Sequence, residues 1–216
     1  MSKSRKIFLF GVALAVLTGN LLAEDLLPIQ LPKPQIEGGK PLMQALSLRA
    51  TSRAFAPEPL SWQTIANLLW AAWGINRPDS KKRTAPSAMN WQEIDLYVIM
   101  DKGMYGYDAA ANLLKPVVAG DLRALAGRQD FVKLAPLTLI FVADLNRMGS
   151  APAERKESLA MADAAFISEN VYLFCASEGL ATGVRVGLDK PALAKAAKFA
   201  DNQLIIYAQT VGFPAK

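Results

Sequence analysis

Arg49 and Arg53 stand four residues apart with the Thr51 hydroxyl and Ala50 between them. Two cations and a hydroxyl on so short a stretch are what a phosphate group needs; the same pattern also suits two solvated arginines at a helix end. A second basic run, Lys81-Lys82-Arg83, could steer an anionic substrate or a nicotinamide phosphate, or simply face water. Other chemistries are missing. The chain has no histidine and one cysteine, Cys175, so a Ser-His-Asp or Cys-His unit is excluded and no zinc or haem ligand set is expected. Asp163 and Glu169 show no partner carboxylate along the chain, which argues against a glycosidase pair. Neither a G-x-x-x-x-G-K-[ST] loop nor a G-x-G-x-x-G fingerprint is present. Any redox or transfer chemistry would have to come from a bound cofactor.

These residues sit in a chain of 216 residues, long enough for one domain. It is 52% hydrophobic and 20% charged, which excludes a disordered or collagenous protein. Lys3, Arg5 and Lys6 precede the apolar run Ile7–Leu17, and Leu21-Leu22-Ala23 follows. This is the pattern of a cleaved export signal over residues 1–23, with an uncleaved anchor as the alternative; the run is short of the ~20 residues that a membrane span requires. The leader holds three of the 24 basic residues, so the remainder carries 21 basic against 19 acidic, a net charge of +2. That small surplus argues against a nucleic-acid partner. A lone cysteine suits an oxidising compartment.

The elements that must position Arg49, Arg53 and their neighbours can be read in order. Residues 24–40, with Pro28, Pro32, Pro34 and Gly38-Gly39, read as an extended arm rather than a packed element. Pro41–Arg49 reads as a short helix with Leu42, Ala45, Leu46 and Leu48 near one face. Ser61 opens a second helix that Gly74 stops. Residues 75–92 read as loop, and Ile94–Met100 as a strand returning in a hairpin through Tyr107. Asp121 could cap a helix through Leu125. Leu137–Ala143 is the continuous apolar run of a strand covered on both faces. Residues 152–178 form the longest helix, apolar on most sides in its second half, as for a core or interface helix, and Gly179 closes it. A short strand near Val184–Val186, a helix over Pro191–Phe199 and a strand over Gln203–Val211 follow. The expected class is α+β.

Three separated segments carry a resemblance. The first is Arg49-Ala50-Thr51-Ser52-Arg53-Ala54-Phe55. The second is Arg83-Thr84-Ala85-Pro86-Ser87-Ala88-Met89-Asn90-Trp91-Gln92. The third runs from Asp163 through Glu169-Asn170-Val171-Tyr172-Leu173 and Gly179-Leu180-Ala181-Thr182 to Val186-Gly187-Leu188-Asp189. Together with Leu68–Asn76 and Val211-Gly212-Phe213-Pro214, they resemble the FMN-dependent nitroreductase family across about residues 41–214, most of all its branch of SagB-type dehydrogenases and thiazoline oxidases. Ala50 stands where the family usually has a second arginine, and Ala181 replaces a glycine. Relatives commonly continue into a tail with a further basic residue, for which Lys216 is the candidate here.

The resemblance implies a central, mostly antiparallel sheet surrounded by helices, with the FMN-binding domain over residues 41–216. It implies FMN as cofactor, held at a homodimer interface by Arg49, Ala50, Thr51 and Arg53 at the phosphate, by Pro86, Ser87, Ala88 and Asn90 along the ring, and by the Val186 and Gly187 backbone at the reactive edge. An amide donor there stabilises negative charge on a reduced ring. Taken alone, Asn90 could equally be a turn residue, and Gly187 could mark a bulge. No side chain stands out as acid or base, and no metal is expected. The function implied is a periplasmic oxidoreductase that passes a hydride or electrons from a donor, NAD(P)H or another, to a small organic acceptor by a ping-pong flavin mechanism. The alternative is an exported flavin or small-ligand binding protein of the same fold without turnover.

Overall fold

A computed structural model describes residues 26–215; the leader read over residues 1–23 and the candidate Lys216 lie outside the described residues. Seven strands form one sheet in the order β1-β6-β5-β4-β7-β9-β8, every neighbouring pair antiparallel. They are β1 (Ile29–Gln30), β4 (Ile94–Met100), β5 (Gly103–Asp108), β6 (Leu113–Ala119), β7 (Leu137–Asp144), β8 (Ala181–Arg185) and β9 (Gln203–Gly212). β2 (Ile75–Arg77) and β3 (Lys82–Arg83) make a separate small hairpin.

The apolar run of β7 explains the layering. Leu137, Leu139, Phe141 and Ala143 enter one core and Ile140 and Val142 the other, because successive side chains of a strand point to opposite faces. The first face is covered by α2 (Trp62–Trp73) and α4 (Ala153–Glu178), with α1 (Leu42–Leu48) lying on α4. The second is covered by α3 (Phe131–Leu134), α5 (Lys190–Ala197) and a 3-10 turn over Arg123–Ala126. The double cover is what burial of β7 along nearly its whole length requires. α4 buries Ala160, Ala164, Ile167, Val171 and Cys175, while Met161 and Phe166 face outward at 57% and 50% exposure. Gly179 ends it in the left-handed conformation at φ 72°, where a residue without Cβ is unstrained.

Several sequence expectations need correction. The arm is packed: Ile29 and Gln30 pair with Leu114 and Leu113, and Leu31 is 3% exposed. Its prolines leave room for two ladder residues at the sheet edge, where a missing donor costs little. α1 buries only Ala45, so its leucines do not face this chain's core. Asp121 caps no α-helix; it accepts from the Arg123 amide at the head of the 3-10 turn. Two elements were not anticipated, β6, whose Pro116 breaks the strand pattern, and the four-residue α3. The segment 75–92, expected as loop, contains the β2–β3 hairpin.

Candidate active site

α4 is the spine on which the candidate residues hang. Leaving α1, residues 49–56 run along the end of the sheet. The Ser52 amide donates to the Thr182 carbonyl at 2.8 Å, the Ala56 amide to the Phe213 carbonyl at 2.9 Å, and Phe55 bridges Pro214. Gly183 permits this approach, since a Cβ there would lie 2.7 Å from the Ser52 carbonyl oxygen. Tyr172 of α4 ties the corner together. Its hydroxyl lies 3.1 Å from Thr51 Oγ1 and accepts from the Val184 amide at 3.1 Å. The Arg49 guanidinium sits over the same ring at 5.5 Å, a cation–π contact. Arg49 and Arg53 are exposed and form no ion pair among the described residues.

Two residues beyond Val184, the chain turns. The Leu188 amide donates to the Val186 carbonyl and the Asp189 amide to the Leu125 carbonyl. Arg185 anchors this turn from the other face: its Nε donates to the Ala126 carbonyl at 2.9 Å, and the guanidinium also reaches the Thr210 and Thr138 hydroxyls. Burial without a counter-charge depresses its pKa to about 10. Val186 is 69% exposed, a Cβ on Gly187 would meet nothing within 4 Å, and neither amide donates within the described chain. Two backbone donors without an acceptor among the described residues thus lie on the exposed segment that follows Val184.

The Pro86–Asn90 loop is held from behind by acids. The Ala88 amide donates to Asp163 Oδ2 at 2.7 Å; Ser87 Oγ donates to Glu93 Oε2 at 3.1 Å and accepts from the Gln92 amide at 2.8 Å. Glu93 is fully buried and Asp163 is 3% exposed. Burial, reinforced by the charge of Asp163, raises the Glu93 pKa from 4.5 to about 7. Glu93 Oε1 is buried and receives no donor; a proton on this oxygen, turned toward Asp163, satisfies it and removes the like-charge conflict. Met89, Asn90 and Gln92 all have positive φ, between 49° and 55°. That is strain for residues other than glycine, of the sort that persists only where surroundings impose it.

The residues singled out by sequence therefore fall into two groups. Arg49, Ala50, Thr51, Arg53, Val186 and Gly187 gather around Tyr172. Pro86, Ser87, Ala88 and Asn90 gather at Asp163, nine residues earlier on α4 (163 to 172) and so about 13 Å away along its axis. Sequence reasoning missed Tyr172 as the tie of the first group, and Glu93 as the partner of Asp163, which has a neighbouring carboxylate after all. Tyr172 and Asp163 lay within the quoted third segment; Glu93, one residue past the second, gave no signal. A cavity of about 780 Å³ between Leu27, Leu60, Trp62 and Met100 contains none of these residues. Among the described residues no group of acids or cysteine could hold a metal.

Exposed cations, free backbone amides and a strained loop thus lie around one helix of an α+β domain whose antiparallel sheet is covered on both faces. The chain belongs to the nitroreductase family, whose model matches residues 46–213, and is an oxidoreductase of nitroreductase type. A Methanocaldococcus jannaschii protein named as a nitroreductase is 30% identical over 173 residues, 76% of this chain and 85% of that one. A Ralstonia eutropha crystal structure, likewise named, superimposes with a TM-score of 0.84 at 40% identity over 90% of this chain and 92% of its own. The Escherichia coli microcin synthetase McbBCD complex shares the fold, with a TM-score of 0.67 at 19% identity over 98% of this chain and 85% of the matched one.

Proposed function

We propose that the chain is an exported, periplasmic FMN-dependent oxidoreductase, active as a homodimer and close to the SagB-type branch. The observation that supports this most is the open corner where the unpaired Arg49 and Arg53 meet the undonated Val186 and Gly187 amides. The donor set fits FMN: cations and the Thr51 hydroxyl for the phosphate, backbone amides for a ring edge that becomes negative on reduction. Bound FMN supplies two-electron exchange between a donor, NAD(P)H or another, and a small organic acceptor in alternating half-reactions.

Within that scheme the chain binds and orients. Arg49, Arg53 and Thr51 hold the phosphate, with Ala50 between them leaving that cluster one charge smaller than in most relatives. Val186 and Gly187 present their amides at the edge where charge develops. Pro86, Ser87 and Ala88 form a flat wall, and Asn90 offers its Nδ2, which has no acceptor among the described residues while its Oδ1 accepts from Gln92.

The two groups serve one flavin most simply if each comes from a different protomer. Exposed apolar side chains support such pairing: Leu42 and Met43 on α1, Met89 in the loop, Met161 and Phe166 on α4, and Val186. All lie in the segments that carry the site, and such surface is ordinarily covered by a partner. Purification with and without added FMN tests the reading. Flavin absorption that bleaches with a hydride donor and returns with a nitroaromatic or quinone is the expected result. Bound FMN that no donor reduces would favour the binding-protein alternative, and failure to take up FMN would overturn both.

A further inference from the structure

A recess of about 360 Å³ opens beside the Pro86–Asn90 loop, lined by Arg77, Lys82, Arg83, Thr84, Asn90 and Gln92 among others, with no carboxylate in its wall among the described residues. Its two guanidiniums are fixed by neutral acceptors. Arg83 donates through Nε to Gln92 Oε1 at 2.8 Å and through Nη1 to the Trp73 carbonyl at 3.0 Å, and lies over the Trp73 ring at 5.1 Å. Arg77 donates through Nη2 to the Arg83 carbonyl at 2.7 Å and through Nε to Asn76 Oδ1 at 3.1 Å. Each keeps one terminal nitrogen free, as Lys82 keeps its Nζ and Asn90 its Nδ2, among the described residues. The Thr84 hydroxyl is buried without a partner.

Asp79, in the turn between β2 and β3, does not line the recess and forms no ion pair among the described residues, and three further carboxylates nearby are committed elsewhere. Asp95 binds Arg147 at 2.5 Å, Asp108 binds Lys115 at 2.6 Å, and Glu93 is turned to Ser87 and Asp163. Burial lowers the Arg83 pKa, an effect that Tyr107, Asp95 and Asp108 offset only in part. Geometry that fixes donors while leaving charge uncompensated is that of an anion site.

We infer that this recess binds the anionic group, phosphate or carboxylate, of the small molecule that exchanges electrons at the neighbouring loop. Arg77, Lys82 and Arg83 supply charge, and Thr84 supplies a neutral hydrogen bond. The substrate or donor is thereby an acidic small molecule, oriented by its charge so that its reacting end lies over the loop. The inference rests on the flavin reading for the reaction but not for the binding.

Two measurements on the full chain separate these. Calorimetric titration with inorganic pyrophosphate and with malonate, using protein saturated with FMN and the Arg77→Gln/Lys82→Gln variant, reads the recess directly. The expected result is binding that weakens about tenfold or more in the variant, the loss of at least one charge-assisted hydrogen bond, with FMN content and melting temperature unchanged. Which of the two anions binds more tightly distinguishes phosphate from carboxylate. The second measurement compares kcat/KM for 4-nitrobenzoate and 4-nitrobenzyl phosphate with that for neutral 4-nitrobenzyl alcohol. A preference for an anionic acceptor that falls in the variant supports the inference. Equal anion binding by both proteins, or loss of FMN from the variant, would overturn it, the latter by making the recess the cofactor's own phosphate site. A protein that binds the anions at the recess but never takes up FMN leaves the site standing and removes the flavin reading.

Discussion

Asp163, buried midway along α4, accepts a 2.7 Å hydrogen bond from the Ala88 amide, so the helix that forms the core also fixes the loop that borders the site. Two and a half helical turns further on, Tyr172 does the same for residues 49–53. The site is thus suspended from a buried element at two points, and substitutions at those points should act on it differently from substitutions that weaken the core.

Tyr172→Phe keeps the ring beneath Arg49 and removes the hydroxyl that joins Thr51 to the Val184 amide. One lost hydrogen bond corresponds to about 1 kcal/mol. FMN affinity, followed by flavin fluorescence in a titration, should fall about fivefold while the protein remains folded. Unchanged affinity would show that the Thr51 corner positions itself without Tyr172.

Arg49→Ala removes an exposed cation that no carboxylate pairs with among the described residues. Stability measured by denaturant should move by no more than about 0.5 kcal/mol, whereas FMN binding should weaken tenfold or more, as loss of a charged phosphate contact implies. A variant that retains flavin as well as the parent would remove Arg49 from the phosphate site.

Two glycines should respond in opposite ways. At Gly187 a Cβ would meet nothing within 4 Å, so Gly187→Ala should leave the melting temperature nearly unchanged and slow flavin reduction by intruding on the open face. At Gly183 the Cβ would lie 2.7 Å from the Ser52 carbonyl oxygen, so Gly183→Ala should displace residues 49–53 and lower stability by about 1–3 kcal/mol. Equal effects on stability from the two changes would contradict the geometry.

The Glu93–Asp163 pair predicts a pH dependence of stability. Glu93 titrates near 7 in the fold against 4.5 as an ordinary carboxyl. Between those values the native state holds a proton that the unfolded chain has released, so this contribution is complete below about 4.5 and is lost as pH rises through about 7. Its full size is about 3 kcal/mol. Asp108 and Asp121, held below the usual carboxylate range by Lys115 and Arg123, act with the opposite sign at lower pH. Glu93→Gln should therefore flatten the decline between about pH 5 and about pH 8 seen in denaturant titrations. The same slope in the variant would place the titration on another group.

Much of the scaffold was legible in the linear sequence because its signals are local. Ser61 and Gly74 bound α2, the apolar run of β7 announced a strand covered on both faces, and Gly179 closes α4, since caps and periodicity act over a few residues. Arg49, Thr51 and Arg53 were equally visible as residue types that suit a phosphate. The edge elements were not. β1 is two residues of a proline-rich arm, and β6 carries Pro116; each exists because a neighbouring strand offers a ladder, which no local propensity encodes. Only the folded chain could show that Glu93 faces Asp163, that Tyr172 spans Thr51 and Val184, and that Arg77 and Arg83 share a recess without a carboxylate. Those relationships join residues up to 121 positions apart, and burial, which sets their protonation and leaves their charges unpaired, is a property of the packed molecule rather than of any segment of it.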